Sequence, residues 1–191
     1  MNARATQSHE VRIIGGLWKR TKLKVADKPG LRPTPDRVRE TVFNWLGQDM
    51  TGLRCLDAFA GTGALGFEAA SRGAAAVLLM EKDSALVEQL QATRIQLDAS
   101  AVQVQRGDGV AAIRQAAPAS LDVIFIDPPF DAPLFEPALA VCARALSAEG
   151  FVYLEAPKAY TDELLAPASL QVHRHLKAGA VHAHLLAHLA S

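Results

Sequence analysis

Four consecutive residues, Asp127-Pro128-Pro129-Phe130, follow directly on the apolar run Leu121-Asp-Val-Ile-Phe-Ile126. Paired prolines hold a stiff, extended turn, carry no backbone N–H, and leave their carbonyl oxygens available as acceptors. At the carboxyl end of a buried strand, such a turn aims a carboxylate and a carbonyl into a crevice with an aromatic ring beside them. That combination suits a planar group bearing an NH2. The two acceptors bind the amino hydrogens, aim the nitrogen lone pair, and favour the positive charge that develops as the nitrogen takes a methyl group. The Phe130 ring is placed to stack on a nucleobase.

A second group lies 70 residues earlier, in Asp57-Ala58-Phe59-Ala60-Gly61-Thr62-Gly63-Ala64-Leu65-Gly66. Gly61, Gly63 and Gly66 match the spacing GxGxxG, which lets backbone amides approach a ligand closely at a strand-to-helix turn. Glu81, with Lys82 beside it, stands 20 residues beyond Gly61 at the end of the next apolar run, where an acid accepts both hydroxyls of a ribose. Asp108 and Gly109, in Arg-Gly-Asp-Gly, reach the same rim. There the carboxylate either accepts from an adenine amino group or caps the helix that follows. These features indicate an adenosine-containing cofactor and leave NAD and S-adenosylmethionine both open.

The elements that must carry these residues alternate. Apolar runs at 53–59, 76–80, 102–105, 121–126 and 150–154 are separated by segments of helical spacing at 64–71, 84–97, 110–116 and 134–146. Buried strands alternating with helices imply a doubly wound α/β domain over 51–191, its sheet mostly parallel and covered on both faces. Residues 160–165 read as a short helix, and 170–176 with 181–189 as an antiparallel hairpin at the C-terminus. Ahead of the domain, residues 11–50 read as a small β-hairpin followed by a helix. Thr34 is expected to cap that helix, with Pro35 at its first position and Val38, Val42, Trp45 and Leu46 on its apolar side. Residues 1–10 carry no pattern and are expected to be a disordered tail.

The 191 residues hold 20 Lys and Arg against 20 Asp and Glu, a balance that hides an asymmetry. Residues 1–50 contain ten Lys/Arg and five Asp/Glu, whereas 51–191 contain ten and fifteen. The cations Lys19, Arg20, Lys22, Lys24, Lys28, Arg32, Arg37 and Arg39 fall within one short stretch, the footprint expected for a polyanion. No charge-free apolar stretch reaches the length of a membrane span, and the first residues contain no apolar core of a secretion signal. Cys55 and Cys142 stand apart with no CxxC spacing, so a disulfide framework and a cysteine zinc site are not expected. A cytoplasmic location is the resulting expectation. His173, His175, His182, His184 and His188 alternate along the C-terminal hairpin without acidic or cysteine partners, and no metal is expected there.

Taken together, the Asp127–Phe130 turn and the 57–66 loop resemble those of class I S-adenosylmethionine-dependent methyltransferases that modify exocyclic amino groups. The extension narrows the resemblance. Arg12-Ile-Ile-Gly-Gly-Leu-Trp-Lys19, the run from Leu31 to Leu46, and Phe59-Ala-Gly-Thr-Gly-Ala-Leu-Gly-Phe-Glu68 are similar to the RsmD family of bacterial 16S ribosomal RNA guanine-N2 methyltransferases. The similarity spans about residues 11–155. It implies a Rossmann-like sheet of seven strands with the C-terminal hairpin antiparallel, and methyl transfer to N2 of one guanine in the small ribosomal subunit or its assembly intermediate. The residues carry over as follows. Asp57, Phe59, Ala60, Gly61, Thr62 and Gly63 would hold the methionine part of S-adenosylmethionine. Glu81 would hold the ribose and Asp108 the adenine, with Lys82 and Gly109 beside them in the cofactor site. Asp127 and the Pro128 carbonyl would hold the guanine amino group, with Pro129 in the same catalytic turn, while Phe130 stacks on the ring. Lys19, Arg20, Lys22, Lys24, Arg32, Arg37 and Arg39 would grip RNA phosphates, and the protein would act as a monomer without a membrane.

Three other readings use parts of the same evidence. An NAD-dependent oxidoreductase accounts for the glycine loop and Glu81 but leaves Asp127–Phe130 and the basic segment unused. An adenine-N6 methyltransferase on RNA or DNA shares the amino-group pocket, since the residues by themselves do not choose guanine over adenine. A ribosome-assembly factor without activity would keep the fold and the basic segment, but it gives the intact Asp127 no task.

Overall fold

A computed structural model describes residues 11–25 and 34–190 of the chain. The tail 1–10, Lys28 and Arg32 lie outside the described residues. A two-stranded ribbon opens the fold, with β1 (Val11–Arg12) antiparallel to β2 (Lys22–Leu23). After α1 (Asp36–Leu46), strands and helices alternate: β3 (Arg54–Asp57), α2 (Ala64–Ser71), β4 (Ala76–Glu81), α3 (Ser84–Gln96), β5 (Val102–Arg106), α4 (Gly109–Gln115), β6 (Leu121–Ile126), α5 (Phe135–Ala145) and β7 (Leu146–Ala156). The short α6 (Asp162–Leu165) leads to the hairpin of β8 (Leu170–Ala178) and β9 (Val181–His188). Among the described residues, no helix is long and apolar enough to cross a membrane.

The main sheet has seven strands in the order β5-β4-β3-β6-β7-β9-β8, with β3 to β7 parallel and the last two antiparallel. The doubly wound sheet and its antiparallel hairpin are therefore as expected. Alternate residues of each strand feed two cores. Cys55, Val77, Leu79, Val123, Phe125 and Tyr153 face one way with α1, α2 and the N-terminal ribbon. Leu56, Ile124, Ile126, Val152 and Leu154 face the other way with α4 and α5. Because both faces are covered, the strands read as continuous apolar runs rather than as alternation.

The chain lays β4 and β5 to one side of β3 and then returns to place β6 on the other side. The two loops that leave β3 and β6 thus diverge to opposite faces, opening a crevice at the carboxyl ends of neighbouring strands. The Asp127–Phe130 turn and the glycine loop are the two loops at that crevice.

Most boundaries fall within two residues of expectation, but one strand start does not. β7 starts at Leu146, not Gly150, because α5 passes into extended backbone at Leu146 (φ −75°, ψ 133°) with no intervening loop. Leu121 pairs with Leu146 and Val123 with Phe151, so a bulge absorbs the Ser147-Ala-Glu-Gly150 stretch.

The N-terminal ribbon shares the core: Val11, Ile13 and Leu23 are buried together with Val38, Val42 and Phe43 of α1. It is fastened to α2 by Glu68, whose carboxylate accepts from the backbone of Ile14 (2.8 Å) and Gly15 (2.8 Å). Gly16 takes a left-handed φ of 75°, and a Cβ there would sit 1.9 Å from the Ser71 carbonyl oxygen. The ribbon can seat on the end of α2 only because that residue has no side chain.

Candidate active site

The crevice residues are set by local backbone requirements. β3 ends at Asp57, and the chain then turns through Gly61 (φ 52°) and Gly63 (φ 77°) into α2. A Cβ on Gly63 would approach Phe67 to 2.6 Å and Leu90 to 2.7 Å, while one on Gly66 would approach Leu79 to 2.1 Å. The glycines therefore bring the helix close to the sheet and keep the loop's backbone unobstructed. Asp57 is buried, and its Oδ2 accepts from the Gly66 amide at 3.1 Å. Burial raises its carboxyl to about 7; the Gly66 and Phe59 amides oppose that rise and the Glu81 charge adds to it.

The Asp127–Phe130 turn leaves β6 beside this loop. Asp127 is partly buried, Pro128 buried, and Phe130 38% exposed, with its ring centroid 6.3 Å from that of Phe135. The Asp127 carboxyl lies well above the usual range. Burial contributes most, the neighbouring Glu155 and Asp57 charges add to it, and a hydrogen bond from Thr34 works against it. Asp57, Ala60, Gly61, Thr62 and the whole Asp127–Phe130 turn line a single cavity of about 420 Å³. This size falls within the ordinary range for small-molecule sites, about 300–1,000 Å³.

Five predicted residues occupy the sheet edge without lining that cavity, and a sixth, Gly63, shapes the loop from below. Glu81 braces the loop, its Oε2 accepting from the Gly61 amide (3.0 Å) and its Oε1 from that of Asp83 (2.9 Å). Lys82 Nζ pairs with Asp108 Oδ2 at 2.6 Å, and the bond from Lys82 lowers the Asp108 carboxyl. Asp108 also caps α4 by accepting from the Ala111 amide at 2.8 Å. Gly109 starts α4 where a Cβ would stand 2.0 Å from the Ala58 carbonyl oxygen. Phe59 packs partly buried against the second core.

The cavity also contains residues that were not expected in the site from the sequence: Thr34, Ala64, Leu65, Asp131, Glu155 and Val181. Thr34 does not cap α1. Pro35 occupies the cap position with no side-chain bond, and the Thr34 hydroxyl instead donates to Glu155 Oε2 at 2.9 Å, with Asp127 Oδ2 at 3.4 Å. Glu155 carried a usable signal, being an acid directly after the apolar run Phe151-Val-Tyr-Leu154, as Asp127 is after Leu121–Ile126.

The basic segment divides. Lys19, Arg20, Lys22, Lys24 and Arg37 are exposed, with Lys22 and Lys24 flanking buried Leu23 as strand alternation requires. Arg39 corrects the expectation of a phosphate contact. It is 0% exposed on the inward face of α1, and its guanidinium reaches Glu68 Oε2 at 3.4 Å and Asp36 Oδ1. Position on the helix, not charge, decides: Arg39 shares its face with Val38, Val42 and Phe43, whereas Arg37 points outward.

In the C-terminal hairpin the rings of His175, His182 and His184 stack, with His175 Nε2 and His182 Nδ1 2.9 Å apart. His184 is buried and accepts from the Tyr160 amide at 3.0 Å. Burial brings its imidazole down to about 4, so the ring is neutral. Among the described residues, no three His, Cys, Asp or Glu side chains are grouped so as to hold a metal ion.

Residues 11–187 match the protein family Conserved hypothetical protein 95. The chain is 40% identical over 176 residues to Ribosomal RNA small subunit methyltransferase D of Escherichia coli, covering 91% of this chain and 88% of that protein. It is 41% identical over 154 residues to the protein of the same name from Haemophilus influenzae, covering 78% and 80% of the two chains. The solved structure of yhhF from Escherichia coli superposes with a TM-score of 0.81 at 39% identity, covering 95% of this chain and 99% of that one.

Proposed function

Because this chain belongs to the family Conserved hypothetical protein 95, we propose that it transfers a methyl group from S-adenosylmethionine to the exocyclic N2 amine of one guanine in 16S rRNA. The observation that carries the proposal is the meeting of the Asp127–Phe130 turn and the Asp57–Gly63 loop in one cavity at the crevice of the sheet. The relatives' name, Ribosomal RNA small subunit methyltransferase D, supports the choice of substrate. On this reading the protein works as a cytoplasmic monomer on the small ribosomal subunit or a precursor of it.

The residues present fit the cofactor. A cavity with Asp57, Asp127 and Glu155 in its wall is electronegative, as a ligand bearing a sulfonium and an ammonium group requires, and the glycine loop leaves its backbone accessible. Asp57 and residues 59–63 would hold the methionine part, Glu81 the ribose and Asp108 the adenine, with Lys82 and Gly109 beside them. When bound, S-adenosylmethionine supplies an electrophilic methyl carbon.

The chain's own task is alignment. Asp127 and the Pro128 carbonyl accept the two amino hydrogens, which turns the nitrogen lone pair toward the donor and stabilises charge developing on nitrogen. Phe130, half-exposed at the cavity mouth, stacks on the base, which must be unpaired or flipped out to reach it. Lys19, Arg20, Lys22, Lys24 and Arg37 contact neighbouring phosphates and set register without reading sequence.

The raised acids give a pH prediction. Asp57 titrates at about 7 rather than 3.8 in the protein alone, so below that pH a cationic ligand must displace a proton to bind. Affinity for S-adenosylmethionine should therefore rise between pH 6 and 7, by up to about tenfold per proton released, and level off above. S-adenosylhomocysteine, which lacks the sulfonium charge, should show a shallower rise. Titration calorimetry in buffers of different ionisation enthalpy measures both the affinity and the proton count; an affinity flat from pH 5.5 to 8 would contradict the linkage.

The reaction itself is tested with labelled S-adenosylmethionine and small subunits from cells lacking the protein, followed by digestion to nucleosides. Label in N2-methylguanosine is the expected result. Label in N6-methyladenosine would keep the pocket and overturn the base, and no label with a folded, cofactor-binding protein would refute the proposal.

A further inference from the structure

Glu155 belongs to none of the sequence motifs, yet it is only 5% exposed and lies in the cavity wall. Its position follows from strand register. Ile126 pairs with Leu154 across two parallel strands, so the next residues, Asp127 and Glu155, emerge side by side on the same face. One hydroxyl confirms the juxtaposition, since Thr34 Oγ1 lies 2.9 Å from Glu155 Oε2 and 3.4 Å from Asp127 Oδ2. Tyr153, two residues earlier on β7, donates its O–H to the same Glu155 oxygen at 3.0 Å. The second carboxylate is thus oriented by two hydroxyls from separate elements.

Holding an NH2 group needs two acceptors, which Asp127 and the Pro128 carbonyl already provide. Glu155 adds a further carboxylate to the cavity wall beside them, placed to accept from a second donor on the same ligand edge. Guanine has one: its N1–H lies next to its N2 amino group. Adenine instead presents a bare N1 lone pair next to its N6 amino group, which a carboxylate would repel.

We propose that Glu155 accepts the N1–H of the target guanine and so selects guanine over adenine at the Asp127 pocket. This rests on the methyltransferase reading above and deepens it by naming the residue that reads the base. Thr34 and Tyr153 act as positioning residues, holding the Glu155 carboxylate in the plane of the base edge.

The test uses small subunits in which the mapped target guanine is replaced by 2,6-diaminopurine. This base keeps the N2 amine but has a bare N1. The wild type should show kcat/KM on guanine at least about 100-fold above that on diaminopurine, because a site built for a donor is left unsatisfied by its absence. In Glu155→Gln the side-chain amide can donate to the bare N1, so the ratio should fall below about tenfold; both bases are compared on the same protein at saturating S-adenosylmethionine, so a change in cofactor affinity does not enter the ratio. Similar rates on the two bases with wild-type protein would overturn the proposal without any variant, and so would an undiminished ratio in a folded Glu155→Gln. Failure of the wild type to methylate guanine at all would instead overturn the underlying reading, and this inference with it.

Discussion

Asp127→Ala is expected to lower kcat for methyl transfer by about 10²–10³-fold, the loss typical of removing one preorganised group that stabilises developing charge. Binding to small subunits should change little, because the exposed cations of the N-terminal ribbon and α1 remain in place. The same substitution should not destabilise the fold. A carboxyl raised above its ordinary value is protonated more readily in the folded chain than in the unfolded one, so near neutral pH its ionised form costs stability. Removing it relieves the repulsion from Glu155 and Asp57, and the melting temperature should hold or rise. Single-turnover rates, filter binding and thermal melts on one preparation separate these effects. A variant that keeps full transfer would show that Asp127 is not the amino acceptor. A wild type that binds subunits but transfers nothing would favour an assembly factor without activity.

Glu68→Ala is expected to be the most destabilising single change. Glu68 is fully buried on α2 and faces two buried guanidinium groups, Arg39 at 3.4 Å and Arg72 at 2.8 Å, along with the backbone amides of Ile14 and Gly15. Truncation would leave both cations without their shared anion inside the protein, at a cost of about 3–5 kcal/mol. For a chain of this length that corresponds to a fall in melting temperature of about 6–20 °C. The ribbon should also become the first site of proteolysis, since it loses two of the bonds that fasten it to α2. Pairing Glu68→Ala with Arg39→Met and Arg72→Met should recover much of the loss, because the two buried charges that lose Glu68 are removed as well. A Glu68→Ala protein that melts within about 1 °C of wild type would show that this cluster does not anchor the extension.

The two variants probe different kinds of information in the chain. Asp127–Phe130 and the 57–66 loop were legible because their chemistry is local: prolines, glycines and one acid in consecutive positions fix the backbone whatever surrounds them. The alternation of apolar runs with helical segments was legible for the same reason, and with it the parallel sheet and the crevice at its carboxyl edge. The basic segment was legible only as composition. Which cations face solvent depended on the rotation of α1, and Arg39, two residues from exposed Arg37, turned inward to Glu68. Asp108 fell between, since its cap to Ala111 is local but its pairing with Lys82 joins the ends of two strands.

By itself, the sequence determined the fold class, the glycine loop and the Asp127–Phe130 turn, because each depends on near neighbours and on hydrophobic period. Only the tertiary structure decided that Thr34 abandons its helix to bond Glu155, 121 positions away, and approaches Asp127, 93 positions away. It also decided that Glu155 stands beside Asp127. These contacts join segments whose spacing along the chain carries no trace of their meeting, and they exist because parallel register places the ends of β6 and β7 side by side and the packing of α1 brings Thr34 over them.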